Sequence, residues 1–429
     1  MNWVSTRRAA PPVPFIDALF AGTAPDGGLY MPERLDPLPE TRREAIRHAA
    51  RSGNLVGIAA QVGGHLLRDE ITQAALRPLV ADALDFPVPL RQVSDRAWVL
   101  ELFHGPTFAF KDIGARTQAR LLHHFTDGTP LTILVATSGD TGSAVAQAFH
   151  RVPDTRVVVL YPRGKVSDVQ EAQMAALGDN ITALSIRGTF DDCQRMVKQA
   201  FADDDLRRHV WLTPANSINL GRLLPQVFYY FLLAGFDAPP IVAVPSGNFG
   251  NLTAGLIAHR LGLPVKRFVA ATNVNDAVPR YLLSGHYEPR PSVATVANAM
   301  DVGAPSNFER MQFMYNGSVE ALRHDVTGYA YDDATVVQAI GEVHQRHGYV
   351  LDPHSAIGWL ALERALEEDQ AATGVFLATA HPSKFREVVE PAIGQPVPLP
   401  APLAEALTRP RHSLDLPADY AALRTFLAR

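Results

Sequence analysis

The chain has 429 residues, a net charge of −5 with the two signs interspersed, and 47% hydrophobic against 19% charged residues. This length predicts two or three domains, and the composition is that of a globular protein with much buried surface. Since there is no basic stripe and no apolar run long enough to cross a bilayer, we expect neither nucleic acid nor a membrane as partner. The only cysteine, Cys193, excludes an intrachain disulfide and a thiolate metal cluster.

The first ninety or so residues have the pattern of a helical, surface-covering region. Apolar residues recur at helical spacing through residues 40–84, and a proline-rich joint at 86–89 ends the region. The first eight residues lack the apolar core of a secretory signal, so a cytoplasmic protein is expected.

Beyond residue 90 the chain repeats one unit: a short β-branched run, a loop of small residues and an amphipathic helix. The predicted strands lie at residues 132–136, 156–161, 181–186, 241–244 and 375–378. Continuous Val, Ile and Leu strands that alternate with helices predict parallel sheets covered on both faces. We therefore predict an α/β protein with two doubly wound sheets. Residues 391–402 are rich in proline and are predicted to form a strap that leads to a short C-terminal helix.

Lys111 follows Phe108 and Phe110 and begins a predicted helix at residues 112–125. An uncompensated lysine is costly to bury. Burial and the positive end of a helix both disfavour the ammonium and favour the neutral amine. A neutral amine is what a Schiff base with an aldehyde cofactor requires. Surface lysines are far commoner than catalytic ones, so the other motifs must decide between the two interpretations.

Two loops between a predicted strand and a helix have the composition of an anion site. Residues 246–251 read Ser-Gly-Asn-Phe-Gly-Asn, and residues 137–142 read Thr-Ser-Gly-Asp-Thr-Gly. Each could equally be an ordinary turn. Neither loop has a dinucleotide or P-loop fingerprint, so the two together indicate a small phosphorylated cofactor, a phosphorylated substrate, or both.

A third polar segment, residues 216–222, reads Asn-Ser-Ile-Asn-Leu-Gly-Arg. An arginine flanked by amide and hydroxyl donors suits a phosphate dianion. The alternative interpretation is a helix N-cap followed by a surface arginine.

Together these segments resemble the threonine synthases, which are pyridoxal-phosphate enzymes of fold type II. The resemblance covers nearly the whole chain, and its motifs stand in the family's order at residues 5–7, 26–32, 101–112, 137–142, 214–219, 244–251, 299–301, 352–354 and 378–382. Arg8 stands where the family usually has glycine. Asp140 is shared with the family, whereas many other fold-type-II enzymes have asparagine there.

The resemblance implies conversion of O-phospho-L-homoserine and water to L-threonine and phosphate, the last step of threonine biosynthesis, with pyridoxal 5'-phosphate as cofactor and no metal. Lys111 would attach the cofactor and act as the base. The implied cofactor contacts are Ser138, Asp140, Gly247, Asn248, Phe249, Gly250, Asn251 and Thr379, the last at the pyridine nitrogen. The implied substrate contacts are Ser138, Thr141, Asn216, Ser217 and Arg222.

The nearest alternative is a related fold-type-II phospho-lyase or a serine/threonine dehydratase that yields a 2-oxo acid. A second anion site at residues 216–222 argues against a dehydratase, which needs none. The predicted division is an N-terminal extension at 1–92, a large phosphate-binding domain at 93–122 and 222–429, and a smaller mobile domain at 123–221. We expect a monomer or a homodimer, and structural roles for His354 and His381.

Overall fold

The computed structural model describes residues 1–137 and 139–429. In chain order the strands are β1 (Trp3–Ser5), β2 (Tyr30–Pro32), β3 (Leu90–Gln92), β4 (Ala97–Glu101), β5 (Leu131–Ala136), β6 (Thr155–Pro162), β7 (Ile181–Arg187), β8 (Leu212–Pro214), β9 (Ile241–Pro245), β10 (Arg267–Thr272), β11 (Val326–Ala330), β12 (Gly374–Ala378) and β13 (Ser413–Pro417).

The α-helices are α1 (Phe15–Ala21), α2 (Glu40–Arg51), α3 (Leu55–Leu66), α4 (Gln73–Ala83), α5 (Lys111–Thr126), α6 (Asp140–Phe149), α7 (Asp168–Ala175), α8 (Phe190–Ala202), α9 (Asp204–His209), α10 (Leu220–Tyr230), α11 (Gly250–Arg260), α12 (Ala277–Ser284), α13 (Phe308–Met314), α14 (Val319–Asp325), α15 (Asp333–His347), α16 (Pro353–Glu368), α17 (Arg386–Ile393), α18 (Ala401–Thr408) and α19 (Tyr420–Leu427). Short 3-10 helices lie at Phe231–Gly235, Asn298–Met300 and Pro382–Phe385.

Two parallel sheets organise the chain. The six-stranded sheet has the order β11-β10-β9-β12-β4-β3, in which β3 alone is antiparallel, and the five-stranded sheet has the order β13-β7-β6-β5-β8. A separate antiparallel pair, β1 and β2, and helices α1 to α4 form the N-terminal region. The predicted α/β fold with two doubly wound sheets and a mainly helical extension is confirmed.

Both faces of each sheet are buried, which explains the continuous apolar strands. In β6, Val157 and Val159 face the largest apolar cluster, and the alternate residues Val158 and Leu160 face a cluster that contains the buried Cys193. Successive side chains of a strand point to opposite faces, so a strand covered by helices on both sides has no polar positions in its middle.

The C-terminal segment differs from its prediction in detail. Helix α17 is followed by Gly394, whose φ is 69°. Irregular chain then continues only to residue 400, and α18 begins at Ala401. Strand β13 pairs with β7 in the five-stranded sheet. The division of the chain into three domains stays a prediction. It assigns β13 to the large domain, whereas β7, with which β13 pairs, belongs to the predicted smaller domain. No helix of the described residues is both long enough and apolar enough to cross a bilayer.

Candidate active site

A cavity of about 1610 Å³ lies where strands of both sheets end. The carboxyl ends of β5, β8, β9 and β12 contribute Thr137, Pro214, Ser246 and Thr379 to its wall. Parallel strands of an α/β sheet present their following loops, and the first turns of the following helices, at this edge. The cavity is therefore at the place where the fold concentrates unpaired backbone N–H groups.

Lys111 is the first residue of α5, lines the cavity and is partly exposed to it. Burial lowers the pKa of its amine to about 8; Asp140 opposes this shift, and the cations Lys384 and Arg222 add to it. The amine donates no hydrogen bond within the described residues. Lys111 is thus a lysine with a lowered pKa at the edge of a cavity, as its sequence context predicts.

Thr379 ends β12 and lies against the segment that carries Lys111. Its carbonyl oxygen accepts a hydrogen bond of 2.9 Å from the Phe110 N–H, and Ala109 forms a bridge with Ala380. These contacts hold the segment that precedes α5 next to the segment that follows β12. The Thr379 side chain is 7% exposed and lines the cavity, where its hydroxyl is available to a ligand.

The loop after β9 has the geometry of an anion site. Across the described chain, the backbone N–H groups of residues 247–251 donate to no protein acceptor, and they precede and open α11. Phe249 adopts a left-handed backbone with φ of 60°, which turns successive N–H groups towards one side. Unpaired N–H groups at a helix N-terminus attract a phosphate through both hydrogen bonds and the helix dipole.

The side chain of Asn251 completes this loop. Its Oδ1 atom accepts hydrogen bonds from the hydroxyls of Tyr229 at 2.5 Å and Tyr230 at 2.7 Å, and both tyrosines are fully buried. The Nδ2 atom of Asn251 is buried and has no partner among the described residues. A buried donor without an acceptor is costly, so its place in the cavity wall indicates that a ligand supplies the acceptor.

The segment after β8 supplies a second group of donors. Arg222 is 3% exposed, donates from Nη1 to the Ala215 carbonyl at 2.7 Å, and has no acceptor for Nε in the described chain. Burial lowers its pKa to about 10, with Asp112 opposing the shift, so the guanidinium stays charged. The alternative of a surface arginine is therefore wrong, although Asn219 does cap α10 through a bond from Gly221 N–H.

The remaining predicted site residues divide into three groups. Asn216, Ser217 and Thr141 line the cavity, and Oδ1 of Asn216 lacks a hydrogen-bond donor within the described residues. Asp140 is buried beside Lys111 but is not part of the cavity wall. Ser138 lies outside the described residues.

Two features were missed by the sequence analysis. Lys384 forms a buried ion pair with Asp140, with Nζ to Oδ1 at 2.6 Å. His354 lines the cavity, lies 2.6 Å from Oδ2 of Asp352 through Nδ1, and accepts the Ala299 N–H at Nε2. These hydrogen bonds explain the structural role expected of His354. Its imidazole donates to a carboxylate and accepts from a backbone N–H, so both ring nitrogens are occupied. Lysine is scarce in this chain, and that scarcity is the sequence signal that could have drawn attention to Lys384.

The available groups fit pyridoxal phosphate. An amine with a lowered pKa suits its aldehyde, the unpaired N–H groups at α11 suit its phosphate, and the Thr379 hydroxyl suits its ring nitrogen. The family profile described as "Pyridoxal-phosphate dependent enzyme" matches residues 84–379. The fold and this site define a pyridoxal-phosphate-dependent enzyme of fold type II.

The more specific profiles "Threonine synthase N terminus" and "Threonine synthase, C-terminal" match residues 2–84 and 355–427. The threonine synthase of Escherichia coli is 45% identical over 422 residues, covering 97% of this chain and 96% of that protein. The chain belongs to the threonine synthase family, and its function is that of a threonine synthase.

Solved structures agree with this assignment. The crystal structure of threonine synthase from Escherichia coli has a TM-score of 0.90 at 42% identity, covering 100% of this chain and 99% of that one. The structure of PLP-bound threonine synthase from Brucella melitensis has a TM-score of 0.93 at 38% identity, with the same coverage. The predicted family, reaction class and cofactor are confirmed, whereas the roles of individual residues stay predictions.

Proposed function

We propose that this cavity binds pyridoxal phosphate and O-phospho-L-homoserine together, and that its residues carry out the conversion to L-threonine and phosphate. The observation that carries the proposal is that one cavity contains a lysine with a lowered pKa and two separate groups of unpaired anion donors, at residues 247–251 and at Arg222. Two such groups match one phosphate on the cofactor and one on the substrate.

The cofactor contacts follow from the unpaired groups. The backbone N–H groups of Gly247, Asn248, Phe249, Gly250 and Asn251 bind the cofactor phosphate, and the Thr379 hydroxyl faces the ring nitrogen. Ser138 and Asp140 are proposed to lie near the ring. When bound, the cofactor ring withdraws electrons from the substrate α carbon and so makes the α and β protons acidic.

Lys111 is the proton carrier of the proposed reaction. With a pKa of about 8, a substantial fraction of its amine is neutral near physiological pH, where a base must be free to accept a proton. Lys111 takes the proton from the substrate α carbon and later returns a proton there. Since the amine of Lys111 forms no hydrogen bond with a described residue, it is free to move between these positions.

Arg222 binds and orients the substrate phosphate. Its guanidinium is charged and desolvated, and its free Nε gives a charge-assisted hydrogen bond that favours the departing phosphate dianion. Asn216, Ser217 and Thr141 provide the neutral contacts around this anion. The cation keeps its effect as negative charge develops on the leaving group.

The first test attaches the cofactor permanently. Borohydride reduction of the purified holoenzyme followed by peptide mapping should place the cofactor on Lys111. Lys111→Ala should abolish both the attachment and threonine formation, whereas Lys165→Ala, at an exposed lysine outside the cavity wall, should change neither. Attachment at another lysine would remove Lys111 from the proposed role.

The second test concerns Arg222. Replacement by Gln should weaken binding of O-phospho-L-homoserine by about 1.5–3 kcal/mol, the value of a hydrogen bond to a charged group, while cofactor binding stays intact. Measuring threonine, 2-oxobutyrate and phosphate together separates a synthase from a phospho-lyase. An unchanged substrate affinity would exclude Arg222 from the phosphate site.

The finer expectations about assembly and location are also proposals. A monomer or a homodimer in the cytoplasm is consistent with a small-molecule substrate and with the interspersed surface charge. Light scattering of the purified protein distinguishes these two states, and a larger assembly would contradict both.

A further inference from the structure

A buried polar cluster lies beside Lys111, and of its members only Asp140 has a role in the function proposed above. Its members are Thr107, Asp140, Gln170 and Lys384. The ammonium of Lys384 donates to Oδ1 of Asp140 at 2.6 Å and to the Thr107 carbonyl at 3.1 Å, and Gln170 Nε2 donates to the same Oδ1 at 3.1 Å. Lys384 is 6% exposed and Asp140 is 7% exposed.

The cluster joins elements that follow strands of different sheets. Thr107 lies between β4 and α5, and Lys384 lies in the 3-10 helix after β12, both connected to the six-stranded sheet. Asp140 begins α6 and Gln170 lies in α7, both connected to the five-stranded sheet. A desolvated ion pair is stable only where further hydrogen bonds satisfy both partners, as they do here. Lys384 therefore holds the start of α6 against the segment that leads to Lys111.

The choice of lysine at position 384 is unusual for this chain. Lysine and arginine together number 39, but the lysines are only Lys111, Lys165, Lys198, Lys266 and Lys384. Lys165, Lys198 and Lys266 are exposed, whereas Lys111 and Lys384 both interact with Asp140. An ammonium is a compact point charge, while a guanidinium needs a wider, planar set of acceptors.

Asp140 stands between two cations. Burial by itself raises the pKa of Asp140, but Lys384 and Lys111 outweigh this effect and hold the pKa well below its ordinary value. The charged groups that act on Lys111 are Asp140, which favours its ammonium, and Lys384 and Arg222, which oppose it. Lys384 also interacts with two titratable neighbours, Asp112 and His381.

We propose that Lys384 is a positioning residue whose ammonium occupies Asp140 and thereby increases the neutral, nucleophilic fraction of the Lys111 amine. Without Lys384, the carboxylate of Asp140 would be free to hold Lys111 as an ammonium, because opposite charges at close range in a desolvated site stabilise each other. The catalytic consequence rests on the proposed function of Lys111, but the electrostatic effect exists in the protein without cofactor.

The test measures the titration of Lys111 directly in the cofactor-free protein. Competitive labelling with an amine reagent from about pH 6 to about pH 11, followed by peptide mapping, gives the reactivity of each of the five lysines, and exposed Lys165, Lys198 and Lys266 are internal standards. Lys384→Met should slow the labelling of Lys111 near neutral pH, about tenfold for each unit by which its pKa rises. Lys384→Arg, which keeps a cation, should label Lys111 at a rate close to that of the native chain. Asp140→Asn should label Lys111 faster than the native chain does.

Opposite effects of the two partners separate electrostatics from loosened packing. The proposal is overturned if Lys384→Met leaves the Lys111 profile unchanged, or if Lys384→Met and Asp140→Asn shift it in the same direction. Since Lys384→Met leaves a buried carboxylate without its cation, it could fail to fold. In that case Lys384→Gln, whose neutral amide can still donate a hydrogen bond to Asp140, takes its place: slower labelling of Lys111 than in the native chain supports the proposal, and an unchanged labelling profile overturns it.

This result is independent of where the cofactor attaches. If borohydride mapping places the cofactor elsewhere, the proposed function fails while the labelling profiles of Lys111 keep their meaning. If the mapping succeeds and the profiles do not respond to Lys384, only the role of Lys384 fails.

Discussion

Asn248 Nδ2 donates a hydrogen bond to Ser217 Oγ at 2.7 Å, so the loop proposed for the cofactor phosphate directly contacts the segment proposed for the substrate phosphate. The other amide atom of Asn248, Oδ1, accepts the Ser306 N–H at 2.6 Å. The side chain of Asn248 is therefore committed to protein contacts, and its backbone N–H is the group left for a phosphate. The two anion sites are mechanically connected.

We expect Asn248→Ala to weaken the binding of both the cofactor and the substrate, because it removes the hydrogen bond that joins their two loops. Each lost hydrogen bond is worth about 1 kcal/mol, so cofactor affinity should fall about tenfold and substrate affinity by a similar factor. Ser217→Ala is the comparison variant, since it removes the shared bond and the proposed contact with the substrate phosphate but leaves the bond between Asn248 and Ser306 in place. In a double-mutant cycle the two changes should be clearly non-additive. Additive losses would show that the loops act independently.

Gly247→Ala should disrupt the phosphate loop. A Cβ at this position would lie 2.8 Å from both the Ala299 carbonyl oxygen and the Met300 Cα, and backbone atoms cannot move aside as a flexible side chain can. We expect a loss of about 1–3 kcal/mol in stability, with cofactor affinity reduced by more than tenfold. Gly235→Ala is the control, because its Cβ would meet neighbours only at 3.7 Å or beyond. Cofactor titration and thermal unfolding of both variants decide the point.

Arg8→Gly should stabilise the protein. Arg8 has φ of 58°, a left-handed conformation that costs an L residue about 1–2 kcal/mol and glycine almost nothing. Arg8 therefore stands at a position where the backbone conformation favours glycine, which is the residue that the family usually has there. The Arg8 guanidinium lies 5.1 Å from the centre of the Phe313 ring, and this contact offsets part of the strain.

Arg8→Ala is the informative control for this change. It loses the same contact with Phe313 but keeps a Cβ in the left-handed region. Arg8→Gly should therefore be more stable than Arg8→Ala by about 1 kcal/mol in urea unfolding, whatever the contact is worth. Equal stabilities would mean that the turn changes its conformation once Arg8 is removed.

The strands that were predicted from the sequence all lie in the middle of a sheet, although β4 and β10, which are also central, were not predicted. β5, β6, β7, β9 and β12 are buried on both faces and therefore have long apolar runs. β13 reads Ser-Leu-Asp-Leu-Pro, lies at a sheet edge and is largely exposed, so it has no such run. An edge strand has one neighbour and tolerates polar residues and proline, which removes the pattern that identifies a strand.

The same contrast holds in the candidate site. The setting of Lys111 is local, because two aromatic residues and a helix start within a few positions indicate burial. The partnership of Lys384 with Asp140 spans 244 positions, and nothing in the spacing of either residue shows it. The burial of Arg222 is likewise set by packing between helices, so the spacing in the sequence slightly favoured a surface arginine.

Thr379→Asp should increase side reactions such as transamination. A carboxylate beside the ring nitrogen favours its protonation, whereas a neutral hydroxyl leaves it less protonated and favours elimination. The ratio of side products to threonine should therefore rise, while Thr379→Ser, which keeps the hydroxyl, should leave the ratio near that of the native chain. An unaltered product spectrum in Thr379→Asp would show that this side chain does not face the ring nitrogen.

Lys111→Met should stabilise the cofactor-free protein at neutral pH. The folded-state pKa of Lys111 is about 8, below the ordinary value of 10.5, so the folded chain binds fewer protons than the unfolded chain between these values. Stability consequently rises with pH across that window, and the cost of burying the ammonium is present in full below about pH 8. Because Lys111 is partly exposed to the cavity, we expect a gain of about 1–3 kcal/mol from Lys111→Met near pH 7. This gain should shrink as the pH rises from about 8 to about 10.5, since the native amine is then neutral in both states. Urea unfolding across this range, with Lys165→Met at an exposed site outside the cavity wall as the control, measures the difference. A gain that does not vary with pH, or a loss of stability near pH 7, would show that the amine of Lys111 is not strained as an ammonium in the folded chain.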